Sequence, residues 1–236
     1  MPVDKSASRV RRMFGEIAAR YDFLNHLLSL GVDRRWRRRT ARLAPTNGPG
    51  PVLDVCTGTG DLALAYWRAG RGGVRVVGTD FCRPMLALGQ EKMRRAGAAG
   101  SIALVEADTE RLPFADGQFQ VVSVAFGLRN TSNPDRALGE MVRVCRPGGR
   151  VAVLEFSMPR RRLARMIYRC YFERILPRLG QALANNRESA YNYLPQSVGQ
   201  FPEGEALAAR MRAAGLAEVR LHRFTLGVAT LYAGRK

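Results

Sequence analysis

Polar groups collect at the ends of apolar runs in this sequence, which is where a ligand would meet a buried sheet. The first run leads into "VLDVCTGTGDLA", Val52 to Ala63, with Asp54 just ahead of a loop that carries Gly58, Thr59 and Gly60. Asp80 closes the second run twenty residues after Gly60 and is followed by Phe81. A third run ends in "VEADTERLPF", setting Asp108 and Thr109 at its edge, and a fourth, "VVSVAFGLRN", surfaces in Arg129 and Asn130. A guanidinium and a side-chain amide at such an edge can hold an oxygen on which negative charge develops.

The loop formally satisfies G-x-G-x-x-A with an acid at the spacing of a nicotinamide-dinucleotide site. Charge argues otherwise: Asp61 would open the helix that must receive a diphosphate, and Asp54 lies close by, so two carboxylates would face two phosphates. S-adenosylmethionine reverses the requirement, because it carries a sulfonium and an ammonium and no phosphate. Asp80 can accept from both ribose hydroxyls, with Phe81 beside it in the same cofactor-binding set. Gly58 and Gly60 let the backbone approach the methionine part, Asp54 or Asp61 can favour the ammonium, and Asp108 with Thr109 can meet the adenine edge.

The elements that must position these groups follow from periodicity. Short β-rich runs (PVLDV, VRVVGTD, SIALVEAD, QVVSVAF, RVAVLEFS) alternate with helical stretches from about Pro51 to Ser157. That alternation implies parallel crossovers and a doubly wound α/β sheet, with ligands at the carboxyl ends of the strands. The C-terminal helix EGEALAARMRAAG and the runs AEVRLHRFT and GVATLYAGRK are expected to finish the sheet as an antiparallel hairpin. We expect one domain over residues 1–236: a helical lid (1–45), a cofactor-binding core (46–158), an amphipathic insert (159–202) and a C-terminal helix with hairpin (203–236).

Composition narrows the class of protein. No run of about eighteen apolar residues occurs, and charges interrupt the first twenty residues where a signal peptide needs its apolar segment, so a cytoplasmic location is expected. Cys56, Cys82, Cys145 and Cys170 are too widely spaced for a zinc site or a disulfide framework, and no metal is expected. Lys and Arg number 38 against 20 Asp and Glu, a net charge of +18, and nearly all the cations are arginine. Such an excess favours polyanions. One arginine cluster is "DRRWRRRTAR", Asp33 to Arg42; the other, Arg160 to Arg178, interleaves arginine with Leu163, Met166, Ile167, Tyr171 and Ile175.

Six segments, "MFGEIAARYDFLNHLLSLGVDRRW", "VLDVCTGTGDLA", "LPFADGQFQVVSVAFGLRN", "RVCRPGGRVAVLEFSMP", "YNYLPQSVGQFP" and "TLGVATLYAGRK", resemble in order and spacing the menaquinone and ubiquinone biosynthesis C-methyltransferases. The resemblance runs from about Met13 to Lys236. It implies a class I, Rossmann-like S-adenosylmethionine-dependent methyltransferase with a mostly parallel seven-stranded sheet. The implied reaction places a methyl on a ring carbon of a prenylated hydroquinone, demethylmenaquinol to menaquinol, or alternatively the ubiquinol precursor. The family's cofactor contacts fall on Thr59, Asp80, Asp108 and Thr109. A serine usual just before FGLRN is Ala125 here, a usual histidine is Asp33 with Trp36 retained three residues on, and Gln120 replaces an aspartate.

Methylation of an aromatic carbon needs an electron-rich ring, which ionisation of the neighbouring hydroxyl supplies. A phenol ionises near pH 10, so positive charge must be placed beside it. Arginine is too basic to take the proton; Arg129 is therefore expected to stabilise the phenolate, with Asn130 orienting the hydroxyl and water as a carrier. Asp33, His26 and Tyr21 on the N-terminal segment are the candidate proton acceptors, and His222 reads as structural. A long prenyl tail stays in the bilayer, so the arginine-rich insert is expected to meet an anionic membrane at its inner face; a core cap or a homodimer contact would produce the same pattern. An RNA methyltransferase is the rival that the charge suggests, but FGLRN stands where its N-P-P-Y motif or catalytic cysteine would be, and no nucleic-acid partner is expected.

Overall fold

The computed structural model describes residues 6–176, 178 and 190–236. Seven strands form one sheet in the order β3-β2-β1-β4-β5-β7-β6. They are β1 (Val52–Val55), β2 (Val76–Asp80), β3 (Ile102–Glu106), β4 (Phe119–Ala125), β5 (Cys145–Phe156), β6 (Ala217–Phe224) and β7 (Ala229–Arg235). The first five run parallel to one another, and β7 lies antiparallel between β5 and β6. The doubly wound sheet with a reversed C-terminal hairpin is thus as the sequence implies.

Strands β1 and β4 are covered on both faces, so they read as unbroken apolar runs rather than alternating ones. Leu53, Val55, Val122 and Val124 are fully buried with Leu138, Met141 and Val153. The polar Ser123 is tolerated there because its hydroxyl donates to the Leu53 carbonyl at 3.2 Å. The crossover helices are α3 (Asp61–Ala69), α4 (Arg83–Arg95) and α5 (Pro134–Val144). Asn133 caps α5 by accepting from the Arg136 N–H at 3.0 Å, with Pro134 in the first turn, where its missing N–H costs nothing.

The N-terminal segment divides in two. Helix α1 (Ala7–Leu28) buries Val10, Met13, Ile17, Leu24 and Leu28 on one face. That face packs largely on the insert rather than the sheet, against Phe172 and Leu176 in and after the π-helical turn (Tyr171–Ile175) and Tyr193 and Val198 of α7 (Ala190–Gln200). The Tyr171 hydroxyl joins the two by donating to the Leu28 carbonyl at 2.5 Å. Helix α2 (Val32–Leu43) is instead a component of the main core: Ala41 packs with Leu62 and Val52, and Trp36 and Ala44 pack with Leu154 and Leu231.

Helix α6 (Arg162–Cys170) buries none of its residues, and α8 (Glu205–Ala213) covers β6 and β7 through Leu207 and Met211. Of the expected insert, residues 177 and 179–189 lie outside the described residues. Among the described residues no helix is long and apolar enough to cross a membrane. The four cysteines are free: Cys82 and Cys145 are buried, Cys56 is half-buried and Cys170 is exposed.

Candidate active site

A cavity of about 370 Å³ opens at the carboxyl ends of β1, β2 and β4, within the size range of small-molecule sites. Gly58, Asp80, Phe81, Asp108, Thr109 and Asn130 line it. Two backbone features make the room. Gly58 has φ +58°, a conformation that glycine adopts without strain. At Gly127 a Cβ would lie 2.4 Å from that of Cys56, so the FGLRN turn can approach β1 only with glycine there. Cys56 and Phe126, at the ends of β1 and β4, both have left-handed backbones (φ 49° and 61°). Such strain costs roughly 1–3 kcal/mol per residue and clusters at functional sites.

Asp80 is held for its task by main-chain donors. Its Oδ2 accepts from the Gly58 N–H at 2.8 Å and its Oδ1 from the Cys82 N–H at 2.9 Å, which leaves lone pairs on both oxygens for a vicinal diol. Burial raises its pKa against those bonds. Asp108 is fixed by the Glu110 N–H, at 2.9 Å, and the Thr109 hydroxyl lies 3.2 Å from Cys56 Sγ. Glu106 and Glu110 also line the cavity, and among the described residues the sole cation on its wall is Arg11. An excess of carboxylate fits S-adenosylmethionine and opposes a dinucleotide diphosphate.

Asp54, Thr59 and Asp61 line a small cavity of about 20 Å³ that shares Tyr21, Cys56, Gly58 and Ala125 with the large one. Asp54 is turned inward: it accepts from the Thr57 hydroxyl (2.6 Å), the Ala63 N–H (3.1 Å) and the Ser123 hydroxyl (3.2 Å). Asp61 pairs with Lys92 at 2.8 Å. Burial opposes its ionisation, but Arg37 and Lys92 prevail and hold its pKa down at about 2. Thr59 donates to Asp22 of α1 at 2.6 Å and accepts from Lys92 at 2.7 Å, so the bonds of these three expected cofactor residues tie the glycine loop to the lid helix and the core. Gly60, φ +84°, N-caps α3 and does not touch the cavity.

Burial pushes the Asp54 carboxyl up to about 7. An unfolded aspartate releases its proton near 3.9, so between these values the native state binds more protons and stability falls as pH rises through that window. Asp54→Asn should be about 1–3 kcal/mol less stable than the wild type at pH 5. The deficit should shrink by pH 8, and urea midpoints at the two pH values check this.

Phe14, Tyr21 and Phe126 form the seam between the large cavity and a second one of about 80 Å³. Trp36, Phe126 and Phe156 supply its aromatic wall, with the two phenylalanine rings 4.4 Å apart and tilted by 32°. Arg129 enters it from the short 3-10 helix after β4. Its Nη1 donates to Glu155 Oε2 at 2.9 Å and to the Phe126 carbonyl, and its Nε is buried without a partner among the described residues. Asn130 accepts from the Tyr193 hydroxyl at 3.2 Å, which brings the insert onto the FGLRN turn. Burial raises the Tyr21 phenol above its ordinary pKa, although Arg37 and Arg129 oppose the shift.

Asp33 is 4 % exposed and its oxygens are committed: to His26 Nδ1 at 2.9 Å, to the Ser29 hydroxyl at 2.8 Å and to Arg37. Trp36 is buried and donates to the Thr225 hydroxyl at 2.9 Å, so the aromatic residue of "RRWRRR" is no solvent-facing platform for a nucleic-acid base. His222 lies half-buried in β6, away from both cavities.

Sequence reasoning missed Glu155, Arg37 and Tyr193. Glu155 had a readable signal, since a carboxylate near the end of the apolar strand RVAVLEF must find a cation. Arg37 is one of five arginines among residues 34–39, and its one distinguishing signal is the spacing of four from Asp33, which puts the two on one face of a helix.

The strand order, the glycine loop and the acid ending β2 together define a class I S-adenosylmethionine-dependent methyltransferase. A crystal structure of an S-adenosylmethionine-dependent methyltransferase from Thermotoga maritima shares this fold, with a TM-score of 0.65 at 16% identity over 96% of this chain and 99% of that one. The chain belongs to the ubiE/COQ5 methyltransferase family, whose model matches residues 2–236. It is 49% identical, over 94% of its length and 99% of the relative's, to a protein named demethylmenaquinone methyltransferase from Thermus thermophilus. It is 46% identical, over 98% of its length and 90% of the relative's, to one named ubiquinone/menaquinone biosynthesis C-methyltransferase UbiE from Geobacter sulfurreducens.

Proposed function

We propose that the chain methylates a ring carbon of a prenylated hydroquinone, converting demethylmenaquinol to menaquinol. The observation that carries this reading is the aromatic cavity with a buried guanidinium, separated from the cofactor cavity by the shared residues Phe14, Tyr21 and Phe126. The names of both relatives include the menaquinone branch, and that of the second also includes ubiquinone biosynthesis. When bound, S-adenosylmethionine supplies an electrophilic methyl on a sulfonium. Asp80 holds its ribose, and Asp108 with the Thr109 backbone holds its adenine.

The chain's own chemistry acts on the hydroxyl beside the reacting carbon. Arg129, leaning on Glu155, offers a fixed donor in a buried site where charge on that oxygen is stabilised strongly. Asn130 orients the hydroxyl, itself oriented by Tyr193. Tyr21 keeps its proton and serves as a hydrogen-bonding wall. With the Asp33 oxygens already engaged, water along the wall of Asn25, Ser29 and Asp33 carries the released proton out of the cavity. Incubation with labelled S-adenosylmethionine and a reduced, short-chain demethylnaphthoquinol tests the assignment.

The same reading explains the bare helix. Leu163, Met166 and Ile167 on α6 are 66%, 63% and 60% exposed, and Phe23, Leu27 and Leu30 on and just after α1 add further exposed apolar surface. Arg160, Arg161, Arg162, Arg165 and Arg169 flank the α6 face, a pattern suited to an anionic bilayer. Changing Leu163, Met166 and Ile167 together to glutamate should abolish sedimentation with anionic vesicles and leave turnover on a soluble, short-tailed quinol unchanged. Unaltered sedimentation would remove α6 from the membrane contact.

A further inference from the structure

The small cavity holds a second buried guanidinium that the chemistry above does not use. Arg37, 9% exposed, projects from the first turns of α2 and lines this cavity with Arg129. The two are built alike. Arg37 leans on the buried Asp33 and its Cζ stands 5.4 Å from the centre of the Phe126 ring. Arg129 leans on the buried Glu155 and its Cζ stands 5.3 Å from the centre of the Phe156 ring. Those two rings are the 4.4 Å pair of the cavity wall, and the Tyr21 phenol lies within the field of both guanidiniums.

Burying two ion pairs gives little net stability, because desolvation offsets the attraction. Such pairs are better explained by what they present to a ligand. Each pair is neutral as a whole, so the cavity suits a neutral polar molecule rather than a dianion. Among the described residues Asp33 is the one acceptor hydrogen-bonded to the Arg37 fork, at Nη1, and the fork carries five N–H donors. The flat aromatic wall selects a ring, and two guanidiniums select two oxygens on it.

We propose that Arg37 is a substrate-binding residue that holds the second oxygen of the 1,4-hydroquinone, para to the oxygen that ionises beside Arg129. This rests on the hydroquinone reading and adds how the ring is oriented. Only one carbon flank is presented to the cofactor cavity when both oxygens are fixed, so Arg37 sets which ring carbon receives the methyl.

The test pairs a variant with a substrate lacking one oxygen. The wild type and Arg37→Gln are assayed on a short-chain 3-prenyl-1,4-naphthohydroquinone and on 3-prenyl-1-naphthol, which keeps the reacting hydroxyl and lacks the para one. The wild type should lose about 10- to 100-fold in kcat/KM on the naphthol, the usual worth of a hydrogen bond to a charged donor. Arg37→Gln should lose a similar factor on the hydroquinone and discriminate between the two substrates by less than about 3-fold. S-adenosylmethionine affinity by calorimetry should be unchanged. Discrimination by Arg37→Gln as large as the wild type's would overturn the proposal. If Arg37→Gln folds poorly because Asp33 is left unpaired, Asp33→Asn/Arg37→Gln removes the pair together and is read by the same criterion. A wild type inactive on the hydroquinone itself would contradict the parent reading, a result separate from the ratio measured here.

Discussion

Replacing Asp80 by alanine should abolish measurable S-adenosylmethionine binding in calorimetry. The carboxylate is nearly buried and already oriented by the Gly58 and Cys82 N–H groups, so its free lone pairs meet the ribose diol at no cost in ordering. Two charge-assisted hydrogen bonds are worth about 3–6 kcal/mol together, or roughly 10²–10⁴ in affinity. The alanine variant also strands two main-chain donors at the cavity wall and frees the glycine loop that they pin. Asp80→Asn separates the effects: it keeps one acceptor and should bind with intermediate affinity. Undiminished binding by Asp80→Ala would remove this carboxylate from the cofactor site.

The second large effect concerns turnover. Arg129→Ala should lose about 10²–10³ in kcat, the usual magnitude for a preorganised donor to a developing oxyanion, with cofactor affinity within about threefold of the wild type. The substitution also strands Glu155, which is 1% exposed, and breaking a buried pair from one side costs about 3–5 kcal/mol of stability. Arg129→Gln/Glu155→Gln avoids that loss by removing both charges. The double variant should melt near the wild type and remain catalytically poor, which distinguishes a role in the chemistry from one in folding. Loss of cofactor affinity in parallel with kcat would place Arg129 on the cofactor instead.

The strands, their parallel order and the reversed hairpin were legible because each is a local pattern: an apolar run of strand length, then a helix, then another run. Asp80 and the FGLRN turn were legible for the same reason, as polar stops at strand ends that line one cavity. What was not legible depends on which way a side chain turns once the chain is packed. Thr59 sits in the glycine loop and still bonds to Asp22 and Lys92. Asp54 precedes the loop and serves β4 and α3. Helix α2 carries the first arginine cluster, yet Trp36 and Arg37 are buried and the helix closes one side of the core. The carboxylate partner of Arg37 lies four residues away on the same helix, whereas that of Arg129 is twenty-six residues away and emerges only when β5 pairs with β4.

The most direct test of the account is the position of the transferred methyl. Purified protein, labelled S-adenosylmethionine and a reduced short-chain demethylnaphthoquinol should give one product, with the label on the ring carbon adjacent to a hydroxyl by NMR. Label on RNA with none on the naphthoquinol, or on a quinol oxygen in place of carbon, would contradict the assignment.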